Sequence, residues 1–264
     1  MPAEVITSPT DERIADYVGL KNQVPLPDGP LIAESEAVVR RITGSEFEVQ
    51  SFLLTPRRYE RMRTMIDSVG APVYLAEREV MKEIAGYNVH RGVLASIRRP
   101  VMPTLDELLG TAQRLVVIEA SNDLENLGSI ARSALALGFD AMVLDPRCAD
   151  PFTRRAVRVS MGALLHLPVV RCNTWPDPLQ AMIDEGFETW ALTPKATANS
   201  LFEMGMPDRV AIVAGAEDEG LTPAALSKVH YDVRIPMHHG VDSLNIGHAL
   251  AIAMAAVALP VAGG

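Results

Sequence analysis

Hydrophobic positions along this chain switch repeatedly between a period of two and a period near 3.6, and the switches mark its elements. Residues 1–30 show little periodicity beyond a short helical run from Ile14 to Leu20, and Pro25, Pro27, Gly29 and Pro30 read as a turn or linker. From Leu31, LIAESEAVVRRI opens as a strand and continues as a helix with one apolar face. A strand (VQSFLLT), a helix opened by Pro56 (PRRYERMRTMIDSV), a strand (PVYLA), a short helix (REVMKEIA) and a strand containing HRGVLASIR follow. Residues 31–100 are thus expected to form a small α/β unit with its own core. Arg98 to Pro103 reads as a linker, and a helix from Leu105 to Ala112 leads into residues 101–264. There the alternation resumes: strand RLVVIEA, loop SNDLENLGS, helix SIARSALALG closed by Gly138, strand AMVLD and the Arg-rich PRCADPFTRRAVRVSMGALL. Strands LPVVR and TWALTP flank a helix at Pro178–Glu185, and the strand RVAIVAG precedes a Gly-punctuated acidic loop and a short helix, PAALSKV. Last come a strand-like run in which Val233, Ile235 and Met237 alternate with Arg234 and Pro236, a polar loop from His238 to Asn245, and an Ala-rich helix. Continuous apolar strands joined by helices predict an open parallel sheet.

Composition adjusts this picture in two places. Hydrophobic residues make up 48% and aromatics 5%, so the core is aliphatic. The net charge of -9 argues against nucleic acid, but its distribution is uneven. Arg40 to Arg99 carries 11 Lys and Arg against 7 Asp and Glu, an Arg-bearing segment on an otherwise acidic protein and a footprint suited to a phosphate backbone. The bland alternative is a solvated, salt-bridged surface. Cys148 and Cys172 lack CxxC spacing and are read as free thiols of a cytoplasmic protein. The N-terminus lacks signal-peptide character, and no apolar run of spanning length is free of polar breaks, so no membrane partner is expected.

Ligand chemistry in open α/β sheets gathers where loops leave the carboxyl ends of strands, and three such loops carry unusual residues. In the first, Gly128 is expected to permit a tight turn, Asn126 offers a donor and an acceptor, and Arg132 sits on the first turns of the following helix. Alone, this pattern equally describes a capped helix with a surface Arg, and it is not a dinucleotide fingerprint. In the second, Gly215 and Gly220 let the backbone approach a ligand, with Glu217 where the strand releases the chain. No His or Cys stands at ligand spacing, so no metal is expected. The third is the loop bearing Ser243 and Asn245.

In order and spacing, the three loops resemble the motifs of the SpoU/TrmH branch of the SPOUT RNA methyltransferases. Asn126, Gly128 and Arg132 match N-x-G-x-x-x-R; Gly215, Glu217 and Gly220 match G-x-E-x-x-G. Ile235, Pro236 and Met237, followed by Ser243, Leu244 and Asn245, are similar to I-P-M with S-L-N-V six residues after the Met. Upstream, Leu31–Arg40 resembles the family's opening segment, and His90-Arg91-Gly92-Val93-Leu94-Ala95 resembles its h-x-G-v-l-A signature. Three positions depart from the commonest pattern: Gly247 where many members have Ser or Ala, Gly240 one position late, and Glu34-Ser35 in place of Glu-Gly.

The resemblance implies methyl transfer from S-adenosyl-L-methionine to a ribose 2′-hydroxyl in rRNA or tRNA, with rRNA slightly favoured. It implies a parallel-sheet domain (101–264) carrying a deep trefoil knot, preceded by a ribosomal-protein-like RNA-binding domain (31–100), in a homodimer packed through the C-terminal helix. By the same resemblance, Ala214, Gly215, Ile235, Met237, Ser243, Leu244 and Asn245 hold the cofactor. Arg132 contacts the target ribose and phosphate, Asn126 and Glu217 fix Arg132, and Ser243 with Asn245 shape the reaction pocket. Arg154, Arg155 and Arg158, in a run similar to the family's R-x-S-M-G-A, are expected to contact phosphate, with His90 and Arg91 as further RNA contacts. A guanidinium is effectively always charged, so Arg132 is read as stabilising the forming alkoxide rather than as a base. A non-catalytic RNA-binding or assembly factor is the competing class; retention of all five site residues argues against it.

Overall fold

The computed structural model describes residues 3–21, 29–216, 219–239 and 241–258. Two compact units divide it: Met1–Val101 with Phe152–Gly162, and Met102–Pro151 with Ala163–Gly264.

The first unit carries β1 (Glu4–Val5), β2 (Leu31–Glu34), α1 (Glu36–Thr43), β3 (Val49–Leu54), α2 (Pro56–Val69), β4 (Val73–Leu75), α3 (Arg78–Ala85) and β5 (Val93–Ile97). The strands form one mixed sheet in the order β1-β4-β3-β5-β2, with β1, β4 and β3 parallel and β5 antiparallel to β3 and β2. The N-terminal segment supplies more than its periodicity indicates. It gives the edge strand β1 and buries Ile6, Ile14, Tyr17 and Leu20 in the unit's core. Tyr17 is fully buried, and its hydroxyl donates to the Ser51 carbonyl at 2.9 Å while accepting from Ser96 N–H at 3.0 Å. A buried hydroxyl without such partners would be costly.

Where the family resemblance led to a glycine, Ser35 has φ 96° and ψ 150°. That backbone region is essentially reserved for glycine. Ser35 keeps the position as the N-cap of α1, its Oγ accepting from Val38 N–H at 3.4 Å. Ser35→Gly should therefore stabilise the protein by about 1 kcal/mol: relief of about 1–3 kcal/mol of strain outweighs the lost cap and the entropy of glycine. Thermal unfolding of the two proteins checks the sign.

The second unit continues with α4 (Leu105–Leu109), β6 (Arg114–Glu119), α5 (Leu124–Ala136) and β7 (Ala141–Leu144). After α6 (Arg154–Val159), which belongs to the first unit, come β8 (Val169–Arg171), α7 (Asp177–Asp184), β9 (Glu188–Leu192), β10 (Asn199–Ser200), β11 (Val210–Gly215), α8 (Pro223–Leu226), β12 (Tyr231–Arg234) and α9 (Ile246–Ala258). Its seven strands are all parallel, in the order β10-β12-β9-β11-β6-β7-β8, as the apolar runs predicted. Residues Leu115–Ile118 and Ala211–Val213 are fully buried at its centre. Both thiols are free and buried, and burial pushes Cys148 up to about 12 and Cys172 up to about 11.

Three boundaries differ from the periodic reading. Helix α5 starts at Leu124, because Asp123 Oδ1 accepts from the N–H groups of Glu125 (2.6 Å) and Asn126 (3.1 Å) and so caps it early. Asn126 and Gly128 are therefore buried helical residues, and Gly128 makes no turn. Strand β12 stops at Arg234, since Pro236 has no N–H to offer a ladder, and Ile235 to Met237 lie in loop. The helix after Thr104 ends at Leu109, and Gly110 follows it.

Candidate active site

At the carboxyl ends of β9, β11 and β12 lies a cavity of about 490 Å³. Three segments line it: Leu192–Lys195 after β9, Ala214–Ala216 with Glu219–Leu221 after β11, and Ile235, Met237 and Asp242–Leu244 before α9. Of the residues expected to hold the cofactor, Ala214, Gly215, Ile235, Met237, Ser243 and Leu244 all line it. Asn245 does not. The sequence carries no signal for the stretch Leu192-Thr193-Pro194-Lys195, which reads only as the end of a strand; it lines the cavity because β9 lies between β11 and β12.

The loop after β11 turns back on itself. Gly220 N–H donates to the Ala216 carbonyl at 2.9 Å, with Gly220 at φ 65°. A Cβ on Gly215 would lie 2.2 Å from both the carbon and the oxygen of the Gly220 carbonyl and 2.5 Å from Leu221 N. The close approach that glycine permits here is thus to its own loop, which the contact folds into a wall of the cavity. Glu217 lies outside the described residues.

A buried carboxylate network holds this wall. Glu119, at the end of β6 and fully buried, accepts from Thr222 N–H at 2.9 Å and from Arg147 Nη2 at 2.8 Å. Asp145, also fully buried, accepts from the N–H groups of Ala120, Arg147 and Cys148 at 2.9–3.1 Å and from Arg147 Nε at 2.9 Å. Buried charges persist when paired and hydrogen-bonded in this way. The network joins the ends of β6 and β7 to the start of α8. No short motif announces it.

The first and third loops meet through their carboxamides. Asn245 Oδ1 accepts from the N–H groups of Gly247 (2.9 Å) and His248 (3.3 Å), capping α9, which fixes its amide so that Nδ2 donates to Asn126 Oδ1 at 2.9 Å. Gly247 makes this junction possible. A Cβ there would lie 2.8 Å from Ser129 Oγ and 3.1 Å from Asn245 Oδ1. Ser129 Oγ in turn donates to the Asn126 carbonyl at 2.9 Å. Arg132, six residues beyond Asn126 on α5, is exposed and has no ion-pair partner among the described residues.

Two arginines of α6 engage a buried carboxylate. In the first unit, Arg154 pairs with fully buried Glu34 and its guanidinium lies 4.2 Å from the centre of the Tyr87 ring. Arg158 reaches the other Glu34 oxygen at 3.4 Å. The single Glu34 charge is thus shared by two arginines, which leaves the pair one net positive charge and anchors α6 within the unit. Burial, and the neighbouring Glu34 carboxylate, push the Tyr87 phenol upward. Arg155 and Arg91 are exposed, and Arg91 lies in a tight turn, His90–Gly92, ahead of β5. The His90 side chain lies outside what the structure describes.

An all-parallel sheet with a cavity at its carboxyl edge, walled by the second and third motif loops and the chain after β9, defines an α/β ligand-binding enzyme fold. Residues 113–255 match the SpoU rRNA methylase family. An uncharacterized tRNA/rRNA methyltransferase of Mycobacterium bovis is 41% identical over 256 residues, covering 94% of this chain and 89% of that protein. The 23S rRNA (guanosine-2′-O-)-methyltransferase of Salmonella typhi is 29% identical over 216 residues, covering 78% and 87%. The crystal structure of an AdoMet-bound rRNA methyltransferase from Sinorhizobium meliloti shares the fold with a TM-score of 0.78 at 21% identity, over 96% of each chain. The chain belongs to the SpoU methylase family of RNA methyltransferases.

Proposed function

We propose that this protein transfers a methyl group from S-adenosyl-L-methionine to a ribose 2′-hydroxyl of structured RNA, with rRNA favoured over tRNA. The observation that carries this reading is that the second and third motif loops line one cavity, while the third is also joined to the first by the Asn126–Asn245 bond. The 2′-O-methyltransferase of Salmonella typhi and the AdoMet-bound fold neighbour support the same reaction and cofactor.

The cavity suits that cofactor. About 490 Å³ is within the ordinary range for small-ligand sites. Apolar Leu221, Leu226 and Ile235 offer a slot for a purine, and the strand ends at Ala214–Ala216 and Leu192–Lys195 offer backbone donors and acceptors. Bound there, the cofactor supplies an electrophilic methyl group. Within the chain, Gly215 keeps the loop folded, and Ile235, Met237, Ser243 and Leu244 close the opposite wall. Asn245 orients the junction through Asn126 and α9 instead of lining the cavity. Arg132 would bind the ribose and its phosphate and stabilise the alkoxide as the proton leaves to a neighbouring phosphate or water. Glu217 retains its proposed role of fixing Arg132.

The RNA contacts proposed are Arg132, Arg154, Arg155, Arg158, His90 and Arg91, with residues 31–100 as the RNA-binding domain and 101–264 as the methyltransferase domain. The trefoil knot of the family would be made by the two loops that wall the cavity. In a homodimer, the half-buried Ala251, Ile252, Ala255 and Ala256 of α9 would meet the partner. No described helix is long and apolar enough to cross a membrane, and a cytoplasmic site of action is proposed.

Incubating the purified protein with methyl-labelled S-adenosylmethionine and rRNA from a strain lacking the gene should label the RNA, leaving one alkali-resistant linkage at the modified nucleotide. Label in a base, or none in either rRNA or tRNA, would overturn the reading. Gly247→Ser should lower the transfer rate about tenfold, through about 1–3 kcal/mol of overpacking against Ser129 and Asn245. Adding Ser129→Ala should recover part of the loss. Equal rates in the single and double variants would remove the steric account.

A further inference from the structure

We propose that the first unit holds a phosphate-binding groove for the RNA backbone, built from five arginines that none of the three motifs includes; this rests on the RNA methyltransferase reading above. A cavity of about 650 Å³ lies where the N-termini of α2 and α3 meet the turn before β5. Arg57, Arg58, Arg61, Arg78 and Arg91 line it, with Glu77 as the one carboxylate among them. Glu36 reaches Arg58 at 3.3 Å and Arg61 at 3.7 Å while also pairing with Arg40, so its single charge is divided among three cations. Arg57, Arg78 and Arg91 have no carboxylate partner among the described residues. Guanidinium groups gathered in one concavity repel each other unless an anion joins them.

The backbone around the groove adds to this field. Thr55 and Glu77 cap α2 and α3 by position, yet neither side chain accepts a hydrogen bond from the helix it precedes. The positive ends of both helices thus point into a basic groove. Arg91 is held there under strain. It has φ 70°, in the left-handed region that non-glycine residues avoid, and Gly92 follows at φ 62°. This turn is pinned to the start of α2: Thr55 N–H donates to the Gly92 carbonyl at 3.1 Å, and a Cβ on Gly92 would lie 2.6 Å from Thr55 Cγ2. Strain of this kind persists where the surrounding structure imposes it, and it clusters at ligand clamps.

The lining identifies the ligand's chemistry. Guanidinium groups match phosphate oxygens in two-pronged fashion. Among the described residues no aromatic side chain lines the groove, so none of them offers a platform on which a base could stack. The groove therefore reads backbone phosphates, positioning a structured RNA without selecting its sequence. It also explains the basic balance of Arg40–Arg99 on a chain of net charge -9.

Filter binding of the full-length protein to purified rRNA over a series of salt concentrations tests this. The triple variant Arg57→Gln, Arg78→Gln, Arg91→Gln should bind at least about tenfold more weakly at physiological salt, with a log–log salt slope shallower by about 2, since each phosphate contact contributes about 0.7–0.9. Glu77→Gln, which removes the groove's own carboxylate, should shift affinity the other way. Arg63→Gln, on the same helix but paired with Glu60 and Asp67, should change neither. All substitutions are at exposed positions, and circular dichroism reports folding; were the triple variant unfolded, the single variants and Glu77→Gln would decide. Wild-type affinity and slope in the arginine variants, alongside normal methyl transfer by the wild type, would sink the groove alone. Failure of the wild-type protein to methylate RNA would instead remove the enzymatic reading.

Discussion

Gly215→Ala is expected to abolish S-adenosylmethionine binding, weakening it more than about a hundredfold in calorimetry, or about 2.7 kcal/mol. The added carbon would lie 2.2 Å from both atoms of the Gly220 carbonyl and 2.5 Å from Leu221 N. Non-bonded carbon contacts are comfortable at about 3.5–4.0 Å, so the backbone must separate by more than about 1 Å. A longer side chain could rotate away from a clash, but backbone atoms have no such relief. The segment forced outward, Glu219–Leu221, is a wall of the cavity, and the adjoining Thr222 N–H is fixed by buried Glu119. The loss should fall mainly on binding, because Gly215 ends its strand at the rim of a sheet whose core is complete without it. Near-normal affinity would mean that this loop does not shape the cofactor site.

Arg132→Lys should reduce single-turnover methyl transfer to rRNA by about 10²–10³-fold, the usual cost of removing one donor aimed at a developing oxyanion. Lysine keeps the charge and the helical position, so the substitution isolates geometry: a planar fork that can hold ribose oxygen and phosphate together is replaced by a single ammonium. Arg132 is exposed on α5, so folding should be unchanged, and S-adenosylmethionine affinity should match the wild type. A variant that transfers methyl at near-normal rates would leave Arg132 as a simple countercharge.

Much of the fold was legible because its signals are local. Apolar runs such as Leu115–Ile118 and Ala211–Val213 can be buried only in a sheet covered on both faces, and the strand–helix rhythm implies parallel pairing. The start of α5 is masked in the sequence because Asn126 and Gly128 punctuate its first turns, although Leu124, Leu127, Ile130 and Ala134 already keep helical spacing. The cavity residues were legible as motifs, whereas the contributions of Leu192–Lys195 and of the Glu119–Arg147–Asp145 network depend on which strands are neighbours. The Arg-rich run at 154–158 was legible only in part. Its charge is evident, but the buried carboxylate that engages Arg154 and Arg158 stands 120 and 124 residues away in sequence.

The bond between Asn126 and Asn245 spans 119 residues. Much of the sheet and the whole β11 loop must be laid down between its two ends before it can form. An amide pair this distant makes little contribution to early collapse, because the chain must first meet the entropy of closing so long a loop. This junction is therefore expected to form late in folding. Without α9 the chain would have neither the cap on that helix nor the junction with α5. If the junction serves the reaction as proposed above, competence should depend on the docking of this single helix.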